Sequence, residues 1–417
     1  MTGLEVEQSP GTKPGFFYGY IVVAAALFIM VITSGAHFSF GVFFTPLLTE
    51  FGWTRAMTSG AFSLSRIAHG LLGIVMGGLN DRLGPRVVLM LCGILMGLGY
   101  LLMSQISAVW QIYLFYGVII GIGMGSWWVP LVSTVARWFT ARRTMMTGIV
   151  LAGTGIGGLI GPPAANWLIY TYDWRTSYMV LGGIVLVVVV LAAQLLRRDP
   201  IQKGQVPYSG NREVKQRLKP EAEGLSLRGA VHTGQFWMVF TALVCFGFSF
   251  SAIIVHIVPH AIDLGISANN AASILATIGG LSIAGRVLLG SAADRIGNRR
   301  ALIIGFILMS ASLFWLLPAT EVWKFYLFAA AFGFAQGGMG PSESPLVATL
   351  FGMRSHGLIL GLADFGFLTG SAIGPLLAGY IFDVDGSYQS AFFACAAIAI
   401  AGVVLIALLK PIRDEQG

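Results

Sequence analysis

Charge is scarce in this sequence. Asp, Glu, Lys and Arg together make up 10% of the 417 residues, whereas 56% of the residues are hydrophobic. The mean hydropathy is +0.79. A soluble domain carries about 25% charged residues, which keep its surface hydrated. The composition therefore excludes an ordinary soluble protein and predicts an all-α protein that crosses a membrane several times.

Cysteine is also scarce: Cys92, Cys245 and Cys395 each lie within an apolar stretch. Their spacing matches neither a disulfide framework nor a metal site, so we interpret them as small buried apolar side chains. The sequence also lacks a Walker motif and a nucleophile–base pair, which argues against an ATP-driven pump and against an enzyme. We predict no catalytic residue, no metal site and no cofactor.

Long apolar runs dominate what is present. The run at 178–196, YMVLGGIVLVVVVLAAQLL, is as long as a helix that crosses a bilayer, which takes about 20 residues. The 55 glycines are typical of closely packed membrane helices. We predict twelve spans, at 17–44, 54–79, 87–107, 109–137, 143–170, 175–196, 235–263, 268–292, 300–319, 322–352, 355–383 and 387–410.

One long polar segment separates the sixth predicted span from the seventh. It is rich in charge and contains proline, which is typical of a linker. The predicted organisation is a tail at 1–16, a six-helix bundle at 17–196, the linker at 197–234, a second six-helix bundle at 235–410 and a tail at 411–417.

Basic residues are distributed unevenly across this arrangement. With both termini in the cytoplasm, twenty of the 25 Lys and Arg residues lie on the cytoplasmic side. Arg55, Arg175 and Lys324 lie outside, and Arg66 and Arg286 lie within spans. Lys and Arg accumulate in the cytoplasmic loops of membrane proteins. We therefore predict cytoplasmic termini and attribute the net charge of +7 to topology rather than to a nucleic-acid partner.

The two predicted bundles contain the same short motif. GGLNDRLGPR at 77–86 and GSAADRIGNR at 290–299 are offset by 213 residues. The Gly-Pro pairs at 161–162 and 374–375 have the same offset. These matches indicate a duplicated six-helix unit. Parallel repeats of this kind are typical of transporters whose substrate site lies between the halves, near the membrane midplane.

These Gly-x-x-x-Asp-Arg-x-Gly-x-Arg loops resemble the most diagnostic motif of the major facilitator superfamily, and the resemblance covers essentially the whole chain. It implies twelve transmembrane helices in two pseudo-symmetric six-helix bundles. It also implies a multi-pass transporter of the inner (plasma) membrane that works by alternating access. In that superfamily the loops form a cytoplasmic gate. The matching gating residues are Asp81, Arg82, Arg86, Asp294, Arg295 and Arg299.

A second resemblance is narrower. WFTARRTMMTGIVLAG, at 138–153, is similar to a conserved motif of the monocarboxylate transporter family. The N-terminal motif of that family is matched only through Gly19 and Tyr20. The chain resembles a bacterial homologue of this family, which implies a small carboxylate substrate of the lactate or pyruvate type. Oxalate/formate exchangers are near relatives of the family and share an arginine in span eight.

Arg286 lies in span eight between apolar residues, about two helical turns before Asp294. An arginine in hydrocarbon costs roughly 3 kcal/mol on insertion scales, and a guanidinium stays charged. It must therefore face a water-filled cavity or a counter-ion. A planar guanidinium binds a carboxylate through two parallel hydrogen bonds. In the resembled family the matching arginine binds the substrate carboxylate; a structural ion pair is the alternative.

Two further charges lie within predicted spans. Asp364, in span eleven, is a candidate proton carrier, a candidate partner for Arg286, or a packing residue bonded to a neighbouring helix. Arg66, in span two, is a candidate second cation of the cavity, where it would favour an anion. Two alternatives for Arg66 have equal weight: its side chain extends to the membrane surface, or it pairs with a carboxylate from another span.

The sequence departs from the mammalian monocarboxylate transporters at two charged positions. Their span-one lysine corresponds to Phe38, and their span-eight aspartate corresponds to Ser282. His37 titrates near neutrality, so His37 and Asp364 are the candidates for proton coupling. The candidate substrate-contacting residues besides Arg286 are His37, Phe38, Tyr116 and Phe367.

The predicted function is secondary transport of small monocarboxylates such as lactate or pyruvate, in symport with protons as the coupling ion. The alternatives are exchange of a dicarboxylate for a monocarboxylate, export of drugs, and a receptor that binds a ligand without transport. Exchange gains support if Arg66 and Arg286 both face the cavity. The expected partners are a small carboxylate and the lipid bilayer. The sequence indicates neither an oligomeric state nor an ancillary subunit.

Overall fold

A computed structural model describes residues 17–125, 129–139, 143–206, 208, 224–352 and 354–409. Within its helices, the side chains of Asp81, Asp294 and a few other residues lie outside this description. The described chain is almost entirely helical, which confirms the predicted all-α class.

The first half of the chain consists of helices joined by short turns. In chain order they are α1 (Gly19–Phe38), α2 (Phe40–Phe51), α3 (Arg55–Leu83), α4 (Pro85–Met103), α5 (Val109–Ile112), a π-helical segment (Tyr113–Ile120), α6 (Gly121–Met124), α7 (Val129–Trp138), α8 (Arg143–Thr171) and α9 (Trp174–Leu195). Ser39 links α1 to α2 with helical dihedrals. Gly52 ends α2 at φ 64°, a left-handed conformation that favours glycine.

The second half repeats this pattern after a short 3₁₀ helix (Pro200–Lys203). Its helices are α10 (Leu227–Val231), α11 (Gly234–Asp263), α12 (Ala268–Ile296), α13 (Asn298–Leu316), α14 (Val322–Phe351), α15 (His356–Asp385) and α16 (Gln389–Leu408). Side-chain caps begin three of them: Ser226 accepts a hydrogen bond from the Gly229 amide, Thr233 from the Phe236 amide, and Ser267 from the Asn270 amide.

Nine helices of the described residues are long and apolar enough to cross a membrane. The remaining predicted spans coincide with α3, with the rod α5–α7 and with α14, which do not meet that description. α3 carries three arginines, Arg55, Arg66 and Arg82, which reduce its apolar character. The count of twelve spans stays a prediction.

Buried apolar side chains form two large clusters. One contains residues from Ala230 to Leu409, together with Phe38 and Val42. The other contains residues from Val22 to Leu196, together with Val255. Each half of the chain therefore has its own core. The three cysteines are buried within the helices, as the sequence predicts.

The two halves touch along three helix pairs: α3 with α15, α8 with α12, and α2 with α11. In the second pair a Cβ atom on Gly279 would lie 2.5 Å from the carbonyl carbon of Gly158. In the first pair a Cβ atom on Gly379 would lie 2.7 Å from Oγ of Ser59. Glycine is required at these positions because the helices meet through their backbones. We call the contact of Gly158 with Gly279 the glycine seam.

Replacing Gly279 by Val is expected to destabilise the protein. The added side chain would overlap the backbone of α8, and overpacking of this kind costs about 1–3 kcal/mol. The thermal unfolding midpoint of the purified protein in detergent should fall by several degrees. Gly183→Val is the matched control, because a Cβ atom on Gly183 meets nothing within 4 Å. Equal midpoints for the two variants would contradict the close packing of the seam.

Candidate functional site

Arg286 lies on α12 at the boundary between the two halves. Its side chain is partly exposed, and Nη1 donates a hydrogen bond of 2.6 Å to the carbonyl oxygen of Leu151 in α8. In the described part of the chain no carboxylate lies within 4.0 Å of it. The predicted pair with Asp364 is therefore not formed in this structure. A guanidinium with only one carbonyl partner keeps N–H groups free to bind a carboxylate.

Asp364 is exposed, although it lies eight residues into α15. Leu368 follows it by one helical turn. A Cβ atom added to Gly70 of α3 would lie 3.2 Å from Cδ1 of Leu368. On the same face, further along α15, Gly379 also contacts α3. Asp364 thus lies where the contact between α15 and α3 ends. A carboxylate at this position is accessible to water between the halves.

Glu343 of α14 is a membrane carboxylate to which the sequence assigned no role. Its Oε1 atom is buried without a hydrogen-bond partner among the described residues. The side chain borders a cavity of about 10 Å³ that is lined by apolar groups, including Phe246 and Phe306. Glu343 is also close enough to Asp364 to interact with it electrostatically. The signal in the sequence was an acidic residue within a predicted span, in the segment GPSESP.

The two predicted phenylalanines belong to one aromatic group. The ring of Phe38 lies 6.2 Å from that of Phe250, and Phe250 lies 6.0 Å from Phe367. Phe38 also reaches the glycine seam, because a Cβ atom on Gly158 would lie 3.3 Å from its ring. This group joins α1, α11 and α15 and forms an apolar wall between the halves.

Arg66 and His37 lie inside the first half rather than on its surface. Arg66 is 5% exposed and His37 is 2% exposed. Nη2 of Arg66 lies 3.5 Å from Nδ1 of His37, and the guanidinium lies 4.9 Å from the centre of the Phe62 ring. Tyr116 is also fully buried here, with its ring 4.4 Å from that of Phe40. In this structure Arg66, His37 and Tyr116 do not share a surface with Arg286.

Two of the predicted gating residues make hydrogen bonds within their own halves. Arg86 donates to Oε1 of Gln194. Arg299 donates from Nε to the carbonyl oxygen of Ile406, at 3.1 Å, and from Nη2 to that of Ala407. Arg82 and Arg295 are exposed, and the side chains of Asp81 and Asp294 lie outside the described residues. We call this end of the helices the motif end.

The opposite end of the helices carries charged bonds that cross between the halves. Nη2 of Arg55 in α3 lies 2.8 Å from Oδ2 of Asp263 in α11, and Nη1 donates to the hydroxyl of Tyr388 at 2.7 Å. Asp383 of α15 accepts hydrogen bonds from the amides of Arg55 and Ala56, at 2.9 and 2.8 Å. We call Arg55, Asp263, Asp383 and Tyr388 the Arg55 cluster. The cluster holds the first half against three helices of the second.

His256 supports this cluster from inside α11. Its Nε2 atom donates to the carbonyl oxygen of Pro375 at 2.8 Å, and Nδ1 lies 2.9 Å from the hydroxyl of Tyr388. His260 follows one turn later and packs on the ring of Phe392. The described residues contain no group of three ligands that could hold a metal ion. Sequence reasoning missed the cluster; its only signal was Arg55, one of three basic residues expected outside.

Comparisons with known proteins agree with this architecture. A family model described as Major Facilitator Superfamily matches residues 25–290 and 258–417. Among solved structures, the chain is similar to a bacterial homolog of the human lysosomal transporter Spinster in an inward-facing, unoccupied conformation. The TM-score is 0.71 at 16% identity, with 95% of this chain and 96% of that chain covered. The occupied inward-facing form of that homolog gives 0.67 at 17% identity.

Similar curated proteins are monocarboxylate transporters. Monocarboxylate transporter 13 of Rattus norvegicus is 30% identical over 94% of this chain and 89% of its own length. Monocarboxylate transporter 12 of Mus musculus is 24% identical over 97% and 88%, respectively. Human monocarboxylate transporter 11 is 28% identical over 94% and 83%. The chain therefore belongs to the major facilitator superfamily, and within it to the monocarboxylate transporter-like membrane transporters.

Proposed function

We propose that this protein carries small monocarboxylates such as lactate or pyruvate across the plasma membrane, in symport with protons and by alternating access. The observation that carries the proposal is the Arg286 guanidinium, which lies between the halves with a single backbone carbonyl as its partner. The names of the relatives support the substrate class. The charge distribution supports an orientation with both termini and the motif end in the cytoplasm.

Substrate binding follows from the surroundings of Arg286. The free N–H groups of the guanidinium bind the substrate carboxylate, and the wall of Phe38, Phe250 and Phe367 contacts its apolar end. Arg286 also bonds to Leu151 of the other half. When the halves close around the site, the Arg286 guanidinium loses water. A bound carboxylate then neutralises its charge.

Proton coupling is assigned to Asp364, with Glu343 as its neighbour. A proton on Asp364 compensates the charge of each incoming carboxylate, so the net charge between the halves stays constant and one proton accompanies one monocarboxylate. The exposed position of Asp364 supports this assignment. His37 is less suitable, because it is buried beside Arg66 and has no direct path to the water between the halves.

Loss of Arg286 is expected to abolish uptake. Hydrogen bonds to a charged group contribute about 1.5–3 kcal/mol each, so losing two of them in Arg286→Gln should lower uptake at least about 100-fold. Arg286→Lys keeps the charge but loses the paired geometry and should raise KM. Radiolabelled L-lactate uptake into proteoliposomes measures both effects. Arg228→Gln, an exposed arginine of α10, is the control. Undiminished uptake by a folded Arg286→Gln protein would refute the assignment.

Asp364→Asn is expected to separate transport from its driving force. The variant should still exchange labelled for unlabelled lactate, because Arg286 is intact. An inward proton gradient should no longer produce accumulation, since asparagine cannot release a proton at this site. The matched variant His37→Asn should accumulate lactate as the wild type does. The opposite result for the two variants would transfer the coupling role to His37.

Weakening the Arg55 cluster is expected to open the outer end. Charge-assisted bonds of this kind are worth about 1.5–3 kcal/mol each, so Arg55→Gln should shift the equilibrium toward the outward-open form by about tenfold or more. A cysteine in place of Val42, which is 5% exposed and borders the groove between the halves, should then react faster with an impermeant maleimide.

The control for this opening experiment is Lys324→Gln. Lys324 is paired with Glu321 three residues away, so their bond lies within the second half and does not connect the halves. Its loss should leave the labelling rate unchanged. If Arg55→Gln labels no faster than this control, the Arg55 cluster does not hold the outer end closed.

A further inference from the structure

The surroundings of Arg66 in the first half have no part in the proposed transport steps. Arg66 lies in α3, His37 in α1, and Tyr100 and Tyr116 in α4 and the π-helical segment. The tyrosine rings lie 6.3 Å apart, and both are close enough to Arg66 to interact with it electrostatically. We call these four residues, with Ser63 one turn before Arg66, the Arg66 chamber.

The charge of Arg66 has no carboxylate partner in this chamber. Away from the helix ends, the described carboxylates of the membrane helices are Glu343 and Asp364, and both lie in the second half. Asp81, whose side chain is not described, follows Arg66 by fifteen residues in α3, which is about 22 Å of helix. Among the described residues, the Arg66 guanidinium lies over the face of Phe62 and 3.5 Å from the His37 ring nitrogen, and it is close enough to His69 to interact with it electrostatically. A buried guanidinium without a counter-ion costs several kcal/mol.

The polar atoms around Arg66 form a set of donors. Nε of Arg66, the hydroxyls of Tyr100 and Tyr116 and Oγ of Ser63 are buried with no hydrogen-bond partner in the described chain. Nε2 of His37 is likewise buried with no hydrogen-bond partner in the described chain. An arginine can only donate, so Nδ1 of His37 accepts from it and the neutral ring carries its proton on Nε2. Five buried groups are therefore able to donate a hydrogen bond at once.

A ligand for this chamber must accept several hydrogen bonds and carry negative charge. We infer that the Arg66 chamber binds a small anion, which Arg66 holds and which the tyrosine hydroxyls and His37 Nε2 surround. The anion is either an inorganic ion of the halide type or one carboxylate of a larger organic anion. This site is separate from Arg286 and does not depend on the proposed function. It would give the first half an anion-binding role of its own.

The test is the thermal unfolding midpoint of the full-length protein in detergent. Sodium bromide and sodium succinate are each titrated against sodium isethionate, an anion bulkier than bromide that carries no carboxylate, at constant ionic strength. A tenfold excess over the dissociation constant should raise the midpoint by about 1–2 °C in the wild type. Arg66→Gln should lose the response, whereas Arg82→Gln, an exposed arginine of the same helix, should keep it. Equal responses of wild type and Arg66→Gln would overturn the inference.

A second measurement covers the case in which Arg66→Gln does not fold. Crystals of the wild-type protein grown with bromide should show an anomalous peak beside the Arg66 guanidinium. Such crystals without a peak, in a protein that succinate also fails to stabilise, would show that the chamber holds water and not an anion.

The two probes also distinguish the source of the anion. A response to bromide that persists in Arg286→Gln supports an inorganic ion, and it leaves the proposed monocarboxylate transport untouched. A response to succinate alone that is lost in Arg66→Gln and persists in Arg286→Gln supports one carboxylate of an organic anion, held in the Arg66 chamber.

Discussion

The constraint on which the rest of this structure depends is the cost of a permanent positive charge inside a membrane protein. A guanidinium cannot release its proton to escape that cost, so each buried arginine must be hydrated or matched by an anion. Arg286 lies partly exposed at the boundary between the halves, where the proposed carboxylate would match its charge. Arg66 is buried within the first half, near donors that lack partners in the described chain, and the proposed anion would match its charge there. The same physics thus makes one arginine the proposed transport site and the other a candidate anion site.

The halves are held together by two different kinds of contact. At the glycine seam the backbones of α8 and α12 touch, and the contact contains no charged group to separate. At the Arg55 cluster the contact consists of charged hydrogen bonds between loop-proximal residues of different halves. Packing between smooth surfaces tolerates small rotations, whereas charged bonds are either formed or replaced by water. In the proposed alternating access, a rocking motion about the seam would exchange the bonds of the Arg55 cluster for hydration.

The sequence predicted the helical class, the superfamily and the position of Arg286, because each leaves a local signal: apolar runs, a repeated motif and a charge within a span. The partners of those residues could not be predicted in the same way. Leu151 binds Arg286 through a backbone carbonyl, which every residue type possesses. The Arg55 cluster joins residues more than 200 positions apart, such as Arg55 and Asp263, and no periodicity reports on that pairing. The burial of Arg66 depends on how α1, α3 and α4 pack. Its sequence context therefore could not distinguish a side chain in the cavity from one that extends to the membrane surface or one in an ion pair.

The internal repeat relates the positions of the two membrane arginines to glycines in the other half. At the offset of 213 residues, Arg66 corresponds to Gly279 of the seam, and Arg286 corresponds to Gly73. Each duplicated helix thus keeps a cation where its twin keeps a glycine, and the two positions differ by seven residues, or about 10 Å of helix. The two glycines differ in their surroundings: Gly279 packs against α8 at the seam, whereas a Cβ atom on Gly73 would meet nothing closer than 3.4 Å. The two repeats have therefore diverged at both levels, and only the glycine opposite Arg66 in the repeat is required by close packing between the halves.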